Sequence, residues 1–152
     1  MKILVLGGAG YIGSHCAHFA ASQGHDVSIF DNFSSGNHWA CGDLPVFGGN
    51  ILDADHLTHC MRGFDAVFHC AAKIIVSESV ERPDWYILNN VEGTASVLRA
   101  MTQNSCGVLV FSSTAAVYGM SPESKLLTEL DPLRPTNPYG ETKVIAENLI
   151  KE

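Results

Sequence analysis

The sequence lacks any apolar stretch long enough to cross a membrane. Its first apolar run is only a few residues long and leads straight into glycines, so we also expect no signal peptide. Basic residues are scarce: 9 Lys and Arg stand against 16 Asp and Glu, and they form no run or patch. The formal net charge of −7 argues against a nucleic-acid partner.

Cysteine motifs are missing as well. The five cysteines are an odd number without a Cys-x-x-Cys spacing, which is typical of a reducing cytoplasm and of structural thiols. His56, His59 and Cys60 share one face of a predicted helix, but no fourth ligand is suggested nearby, so we predict no metal site. What the chain does have is 46% hydrophobic residues, enough for one globular domain with a core.

A glycine turn dominates the start of the chain. The apolar run 3–6 ends at Gly7, and Gly10 and Gly13 follow at three-residue intervals as helical spacing begins. The first turn of such a helix has unpaired backbone N–H groups and a partial positive charge. Because glycines let the backbone approach closely, this strand–turn–helix predicts a diphosphate site. The alternative is a Gly-rich turn in some other α/β protein.

Asp31 ends the next strand-like run, 18 residues after Gly13. A carboxylate there can accept both hydroxyls of an adenosine ribose and would repel a 2′-phosphate, so NAD is favoured over NADP.

Apolar strands alternate with helical segments along the rest of the chain. This order predicts an α/β protein with a doubly wound parallel sheet, the Rossmann fold. We expect a loop over 32–43 and a Pro-rich loop that contains Pro122, Pro132, Pro135 and Pro138. The predicted strands span 2–6, 26–31, 44–47, 65–70 and 107–112, and the helical regions span 11–23, 54–61, 78–104 and 139–151.

Tyr139 and Lys143 stand four residues apart at the start of the last predicted helix, one turn from each other on the same face. A free phenol is a poor base at neutral pH, but a neighbouring cation stabilises the phenolate. The pair is therefore suited to general-base catalysis beside a hydride acceptor. Taken alone, the same spacing is also that of an ordinary surface pair.

Three motifs together resemble the extended short-chain dehydrogenase/reductase family: Gly7-x-x-Gly10-x-x-Gly13, Ser112-Ser113-Thr114, and Tyr139-x-x-x-Lys143. The resemblance covers the whole chain and includes Asn89-Asn90-Val91. It is greatest to the members that epimerise a UDP-sugar at its fourth carbon, interconverting UDP-glucose and UDP-galactose through a 4-keto sugar. It implies bound NAD, a nucleotide-sugar substrate, galactose metabolism and a possible homodimer.

The resemblance also implies a role for each matching residue. Tyr139 would be the base, Lys143 would tune it and hold the nicotinamide ribose, and Thr114 would relay the proton of the same sugar hydroxyl. The implied cofactor contacts are Gly7, Gly10, Tyr11, Ile12, Gly13, Asp31, Asn32, Asn50, Ile51, Cys70, Ala71, Ala72, Asn89, Ser112, Tyr139 and Lys143.

Two departures from the family pattern stand out. Asn50 replaces a common Asp, and we expect its adenine contact to survive in altered form. Family members are also much longer, so we expect residues 1–152 to be an NAD-binding Rossmann domain without the substrate domain. Turnover would then be weak or nil, and α-helical residues Val144, Ile145 and Ile150 would be exposed.

Other functions stay open within and outside the family. A 4,6-dehydratase would place Asp-Glu directly after the Thr, whereas this chain has Ala115 and Ala116, which cannot shuttle protons. A UDP-glucuronate epimerase or decarboxylase remains an alternative, and so does an NAD-binding module without catalysis.

Overall fold

Five parallel strands form one sheet in the computed structural model, which describes residues 1–121 and 126–152. The spatial order is β3-β2-β1-β4-β5, so the chain moves outward on one side of β1 and then crosses to the other. The open crevice of such a sheet lies at the carboxyl ends of the strands beside β1. The strands are β1 (Lys2–Leu6), β2 (Asp26–Asp31), β3 (Val46–Gly48), β4 (Ala66–His69) and β5 (Val108–Phe111).

Helices follow most of the strands, which confirms the predicted α/β class. Short 3₁₀ helices span His38–Cys41 and Ala115–Tyr118, and a π-helix spans Ile87–Glu92. In the described ranges no helix has the length and hydropathy needed to span a bilayer. The α-helices are α1 (Tyr11–Ser22), α2 (Ala54–Cys60), α3 (Val76–Glu81), α4 (Pro83–Tyr86), α5 (Gly93–Gln103) and α6 (Pro138–Lys151).

Most predicted boundaries agree with the structure within two residues, but some details differ. The region 32–43 contains a 3₁₀ helix, and the long helical region begins at Val76 and changes type at Ile87. Pro138 is the first residue of α6 and not part of the preceding loop, because a residue without an N–H suits the first helical position. Pro122, also assigned to that loop, lies outside the described residues.

Backbone contacts divide the chain into two compact units. The first comprises Met1–Ala72 and Ser96–Ser112 and contains the whole sheet. Alternate side chains of β1 enter its two cores: Leu4 and Leu6 pack with α2 and α5, and Ile3 and Val5 pack with α1. The strand is therefore apolar on both faces, as expected for a parallel sheet covered on both sides.

The second unit comprises Lys73–Ala95 and Ser113–Glu152. Within it the buried side chain of Asn90 donates to the Thr142 hydroxyl at 3.1 Å, joining the π-helix to α6. The predicted exposure of α6 is found at Ile145, which is 43% exposed, whereas Val144 and Ile150 are partly buried.

Candidate active site and cofactor cradle

The turn after β1 can be built only from glycine at its critical positions. Gly7 has a φ of +76°, and a Cβ there would lie 2.6 Å from the backbone nitrogen of Ala71. A Cβ on Gly13 would overlap the Gly7 carbonyl oxygen, so α1 can begin directly on the turn only because Gly13 has no side chain. The geometry thus requires glycine at position 7 for the tight turn and at position 13 for the close packing of α1.

The amino terminus of α1 is formed by Gly10, which provides no side-chain cap. The N-terminal ends of α2 and α6 differ, since the side chains of Asp53 and Asn137 accept backbone N–H groups there. A helix start that presents backbone N–H groups without a capping oxygen suits an anion. The residues of this turn therefore fit the diphosphate of a dinucleotide.

Asp31 ends β2 beside the same turn, and only 8% of it is exposed. One carboxylate oxygen accepts the N–H of Ala9 at 2.9 Å and the other accepts the N–H of Phe33 at 2.8 Å. Each oxygen can accept a further hydrogen bond, so ribose hydroxyls can still be received. Asn32 is exposed, and its side-chain oxygen accepts a hydrogen bond from the N–H of Ser34.

The remaining cofactor residues of this unit follow the other strands. Asn50 is exposed after β3 and its side-chain oxygen accepts the N–H of Leu52, whereas the side chain of Ile51 belongs to the core. After β4 and β5 come partly buried residues, namely Cys70, Ala71, Ala72 and Ser112. The structure therefore brings the predicted residues of the first unit to the carboxyl edge of the sheet.

A groove of about 660 Å³ borders the glycine turn within the first unit. Tyr11 and Trp39 are more than 80% exposed and form part of its wall. This groove leaves the outer side of the glycine turn open to a ligand. Its lining is Ala9, Gly10, Tyr11, Ser14, His15, His18, Asn37, Trp39 and Ala40.

The second unit holds the predicted acid–base residues. Tyr139 and Lys143 lie one turn apart on α6 and are 9% and 3% exposed. A Cβ on Gly140 would lie 2.8 Å from the carbonyl oxygen of Ala116, so the 3₁₀ helix packs closely on the first turn of α6. Thr114 caps that 3₁₀ helix by accepting the N–H of Ala116 at 3.2 Å. Thr114 is thereby held next to the helix that carries the other two residues.

Two tyrosine rings, those of Tyr86 and Tyr139, meet in this unit. The rings of Tyr86 and Tyr139 pack edge to face with centroids 6.5 Å apart. Burial, followed by the Glu78 carboxylate that accepts its hydroxyl proton, raises the pKa of Tyr86 to about 12. Tyr86 therefore stays protonated at neutral pH and acts as a structural donor to Glu78.

Two polar residues of the π-helix lie in the same unit. Asn89, a predicted cofactor residue, is partly buried and donates to the side-chain oxygen of Asn90 at 2.9 Å. Asn90 also accepts the N–H of Lys73 and donates to its carbonyl oxygen. No role was predicted for Asn90 from the sequence. Two adjacent asparagines in an apolar helical region nevertheless indicate a buried polar contact.

Comparison with known proteins decides the family. Residues 3–152 match the model of the NAD dependent epimerase/dehydratase family. The chain belongs to that family. It is 45% identical to the UDP-glucose 4-epimerase of Halalkalibacterium halodurans over 98% of its own length and 45% of the relative's. Its fold also agrees with the folds of solved UDP-glucose 4-epimerases.

Two such structures were determined with NAD. The UDP-glucose 4-epimerase of Brucella ovis superposes with a TM-score of 0.94 at 41% identity, covering 99% of this chain and 46% of that one. The enzyme of Thermus thermophilus gives a TM-score of 0.96 at 34% identity, covering 99% and 50%. This member of the epimerase/dehydratase family thus spans about half the length of the relatives that it matches.

His56, His59 and Cys60 lie together on α2. In the described part of the chain, no three His, Cys, Asp or Glu side chains converge as a metal site would need. His56 instead lies near the Cys60 thiol, with 3.6 Å between its Nε2 and the sulfur, and 3.0 Å from the carbonyl oxygen of Gly48.

Proposed function

We propose that this protein acts in the NAD-dependent epimerisation of a UDP-sugar at its fourth carbon, interconverting UDP-glucose and UDP-galactose. The observation that carries the proposal is the buried pair on α6, in which the Tyr139 phenol and the Lys143 ammonium group lie one turn apart beside the Thr114 segment. Membership of the epimerase/dehydratase family and NAD-bound relatives support it.

The adenosine and diphosphate parts of NAD would be held by groups of the first unit. We propose that the backbone N–H groups at Tyr11, Ile12 and Gly13 hold the diphosphate, with Gly7 and Gly10 leaving room for it. Asp31 and Asn32 would receive the adenosine ribose. The other proposed contacts are Asn50 and Ile51 at the adenine, and Cys70, Ala71, Ala72, Asn89, Ser112, Tyr139 and Lys143 along the rest of the cofactor.

When bound, NAD supplies the reversible oxidation that converts the fourth carbon of the sugar to a ketone and back. The chain's own residues would manage the proton. Tyr139 accepts the proton of the 4-hydroxyl, and the positive charge of Lys143 stabilises the phenolate that results. Thr114 hydrogen-bonds the same hydroxyl and relays its proton. After the ketone has turned over, so that carbon 4 presents its opposite face for reduction, Tyr139 returns the proton to the 4-oxygen.

The length of the relatives bears on how fast this chain reacts. It covers 44–45% of the curated bacterial relatives that are 45–46% identical to it. Binding energy from remote parts of a substrate helps to position the reacting atoms, so contacts made by the other half of such enzymes contribute to turnover. We propose that residues 1–152 alone bind NAD and turn over weakly or not at all in steady state. The homodimer and the cytoplasmic location stay predictions.

The test is a pair of measurements on the purified 152-residue chain. NAD binding is measured by isothermal titration calorimetry, and conversion of UDP-galactose is measured in a coupled assay, with a full-length relative as the reference. Tyr139→Phe should abolish the reaction of UDP-galactose in a single turnover at high protein concentration while retaining NAD binding, because the ring remains and only the hydroxyl is lost. Tyr118→Phe, a tyrosine of the 3₁₀ helix, is the matched control and should behave like the wild type.

Each outcome has a distinct meaning. Absence of NAD binding would contradict the proposal as a whole. NAD binding with turnover comparable to the full-length relative would contradict the proposed weakness of the isolated chain. NAD binding with no reaction of UDP-galactose, even in a single turnover at high protein concentration, would favour an NAD-binding module without catalysis.

A further inference from the structure

Helix α3 makes a direct contact with the backbone of the proposed base. Ser79 is completely buried, and its hydroxyl oxygen accepts the N–H of Tyr139 at 3.2 Å across 60 residues of sequence. The same hydroxyl donates to the carbonyl oxygen of Val76 at 2.6 Å. The Ser79 hydroxyl therefore both donates and accepts a hydrogen bond, and these two bonds fix its rotamer.

The first turn of α6 explains why this contact matters. Pro138 has no N–H, and the N–H of Gly140 is satisfied by the side chain of Asn137 at 2.8 Å. The remaining early donor is the N–H of Tyr139, which is buried with its residue. Because a buried donor without an acceptor is unfavourable, the position of the Tyr139 backbone depends on the oxygen that Ser79 provides.

Helix α3 is itself held from the other side by Tyr86. The Tyr86 hydroxyl accepts the N–H of Ile75 at 3.0 Å and lies 2.8 Å from a carboxylate oxygen of Glu78. The Tyr86 ring also packs edge to face against the ring of Tyr139. A shift of Ser79 would therefore also disturb the contacts that Tyr86 makes with Ile75 and Glu78.

We propose that Ser79 is a positioning residue that sets the reach of the Tyr139 phenol toward its substrate through the backbone N–H of Tyr139. This role rests on the proposed function, because it concerns the base of that reaction. Ser79 touches neither the sugar nor NAD in this role. A displacement of the phenol by a fraction of an ångström slows proton transfer, while substrate and cofactor binding are unaffected.

The experiment compares three variants of the 152-residue chain. Ser79→Ala removes the acceptor, and Ser79→Thr retains a hydroxyl. Ser77→Ala is the matched control, since Ser77 is an exposed serine of the same helix. The first measurement is hydrogen exchange of the Tyr139 amide by NMR without cofactor. Exchange should be about tenfold faster in Ser79→Ala, unchanged in Ser77→Ala and slow again in Ser79→Thr.

The second measurement is the single-turnover rate at which UDP-galactose reduces the nicotinamide of the NAD-loaded chain. In Ser79→Ala the rate constant should fall about tenfold, with the substrate concentration for half-saturation and the NAD affinity unchanged within about twofold. Ser79→Thr should recover most of the rate. A general loss of structure would instead weaken NAD binding as well, so the two causes give different patterns.

The results that would overturn the role of Ser79 differ in what they mean for the proposed function. A wild-type chain that reacts, with Ser79→Ala reacting at the same rate, would overturn the positioning role alone. A wild-type chain that binds NAD and does not react even in a single turnover would overturn the proposed function and this role together. If neither Ser79 variant folds, the wild type decides, because a Tyr139 amide that exchanges without protection would overturn the contact.

Discussion

Asp31 holds Ala9 across 22 residues of sequence: one oxygen of its carboxylate accepts the Ala9 N–H at 2.9 Å, next to the glycine turn. The other oxygen holds the N–H of Phe33, whose φ is +55°. A residue that was predicted only as a cofactor contact thus also ties the end of β2 to the turn after β1. Its substitution should affect the cofactor and the fold together.

For Asp31→Asn we expect the free energy of unfolding to fall by about 1–2 kcal/mol, because one amide oxygen cannot replace two carboxylate oxygens as acceptors. NAD affinity should fall at least about tenfold, since the ribose loses a charged acceptor. Urea denaturation and calorimetric titration measure the two effects. The matched control is Asp26→Asn at the exposed start of β2, where the ion pair with Lys2 contributes little. Equal behaviour of both variants would contradict the role of Asp31.

Substitution of Gly7 by alanine should prevent the turn from forming. The φ of +76° is strained for alanine, and the added Cβ would lie 2.6 Å from the Ala71 backbone. We expect a loss of about 2 kcal/mol or more in the free energy of unfolding, and no measurable NAD binding. Gly107→Ala is the control, because a Cβ there meets nothing within 4 Å. Retained NAD binding in Gly7→Ala would show that the turn tolerates a side chain.

Stability at high pH should report the burial of Tyr86. Its pKa is about 12 in the folded protein and about 10 in the unfolded chain. The unfolded state therefore releases its proton first, so the stabilisation is complete below pH 10 and is lost as the pH rises toward 12. From pH 10 to 12 this loss should reach about 2 kcal/mol.

The comparison protein for that measurement is Tyr86→Phe, which has no proton to lose. It should be less stable at neutral pH, because the Ile75 N–H loses its acceptor, but its stability should depend less steeply on pH above 10. Equal slopes for the two proteins in urea titrations would refute the assigned pKa.

The rate of alkylation should differ between the buried and the partly exposed cysteines. Burial raises the pKa of the thiols of Cys41, Cys60 and Cys106, with smaller contributions from Asp31, Asp53 and Asp65 respectively. Fewer thiolates form at pH 8, so these three should react with iodoacetamide at least about tenfold more slowly than the partly exposed Cys16 and Cys70. Mass spectrometry of the native and the urea-unfolded chain measures this difference, which should vanish on unfolding.

Local sequence patterns were sufficient for most of the framework. The order of strands and helices follows from apolar periodicity, and Gly24, with a φ of +83°, follows the C-cap of α1 as glycine commonly does. The 3₁₀ helix at His38–Cys41 was missed because a four-residue helix leaves no periodicity to detect. The predicted strand 44–47 begins at Val46 in the structure, since Pro45 cannot donate a ladder hydrogen bond.

The supporting contacts of the candidate site could not be predicted in the same way. Ser79 lies 60 residues before Tyr139, and the Ser113 hydroxyl donates to Glu147 across 34 residues. Such pairs depend on how the segments pack, which no local pattern encodes. Tyr139, Lys143 and Asp31 were identifiable because their chemistry has a characteristic spacing from the glycine turn or from one another.

The π-helix Ile87–Glu92 has a consequence for related sequences. Its wider turn accommodates one residue more than an α-helical turn would. Deleting a single residue there would leave an uninterrupted α-helix, in which the side chains after Glu92 keep roughly their present directions and those within 87–92 change theirs. Asn90 would then no longer face its present partners. A one-residue gap at this place in an aligned homologue would therefore mark a protein that supports its last helix by other means.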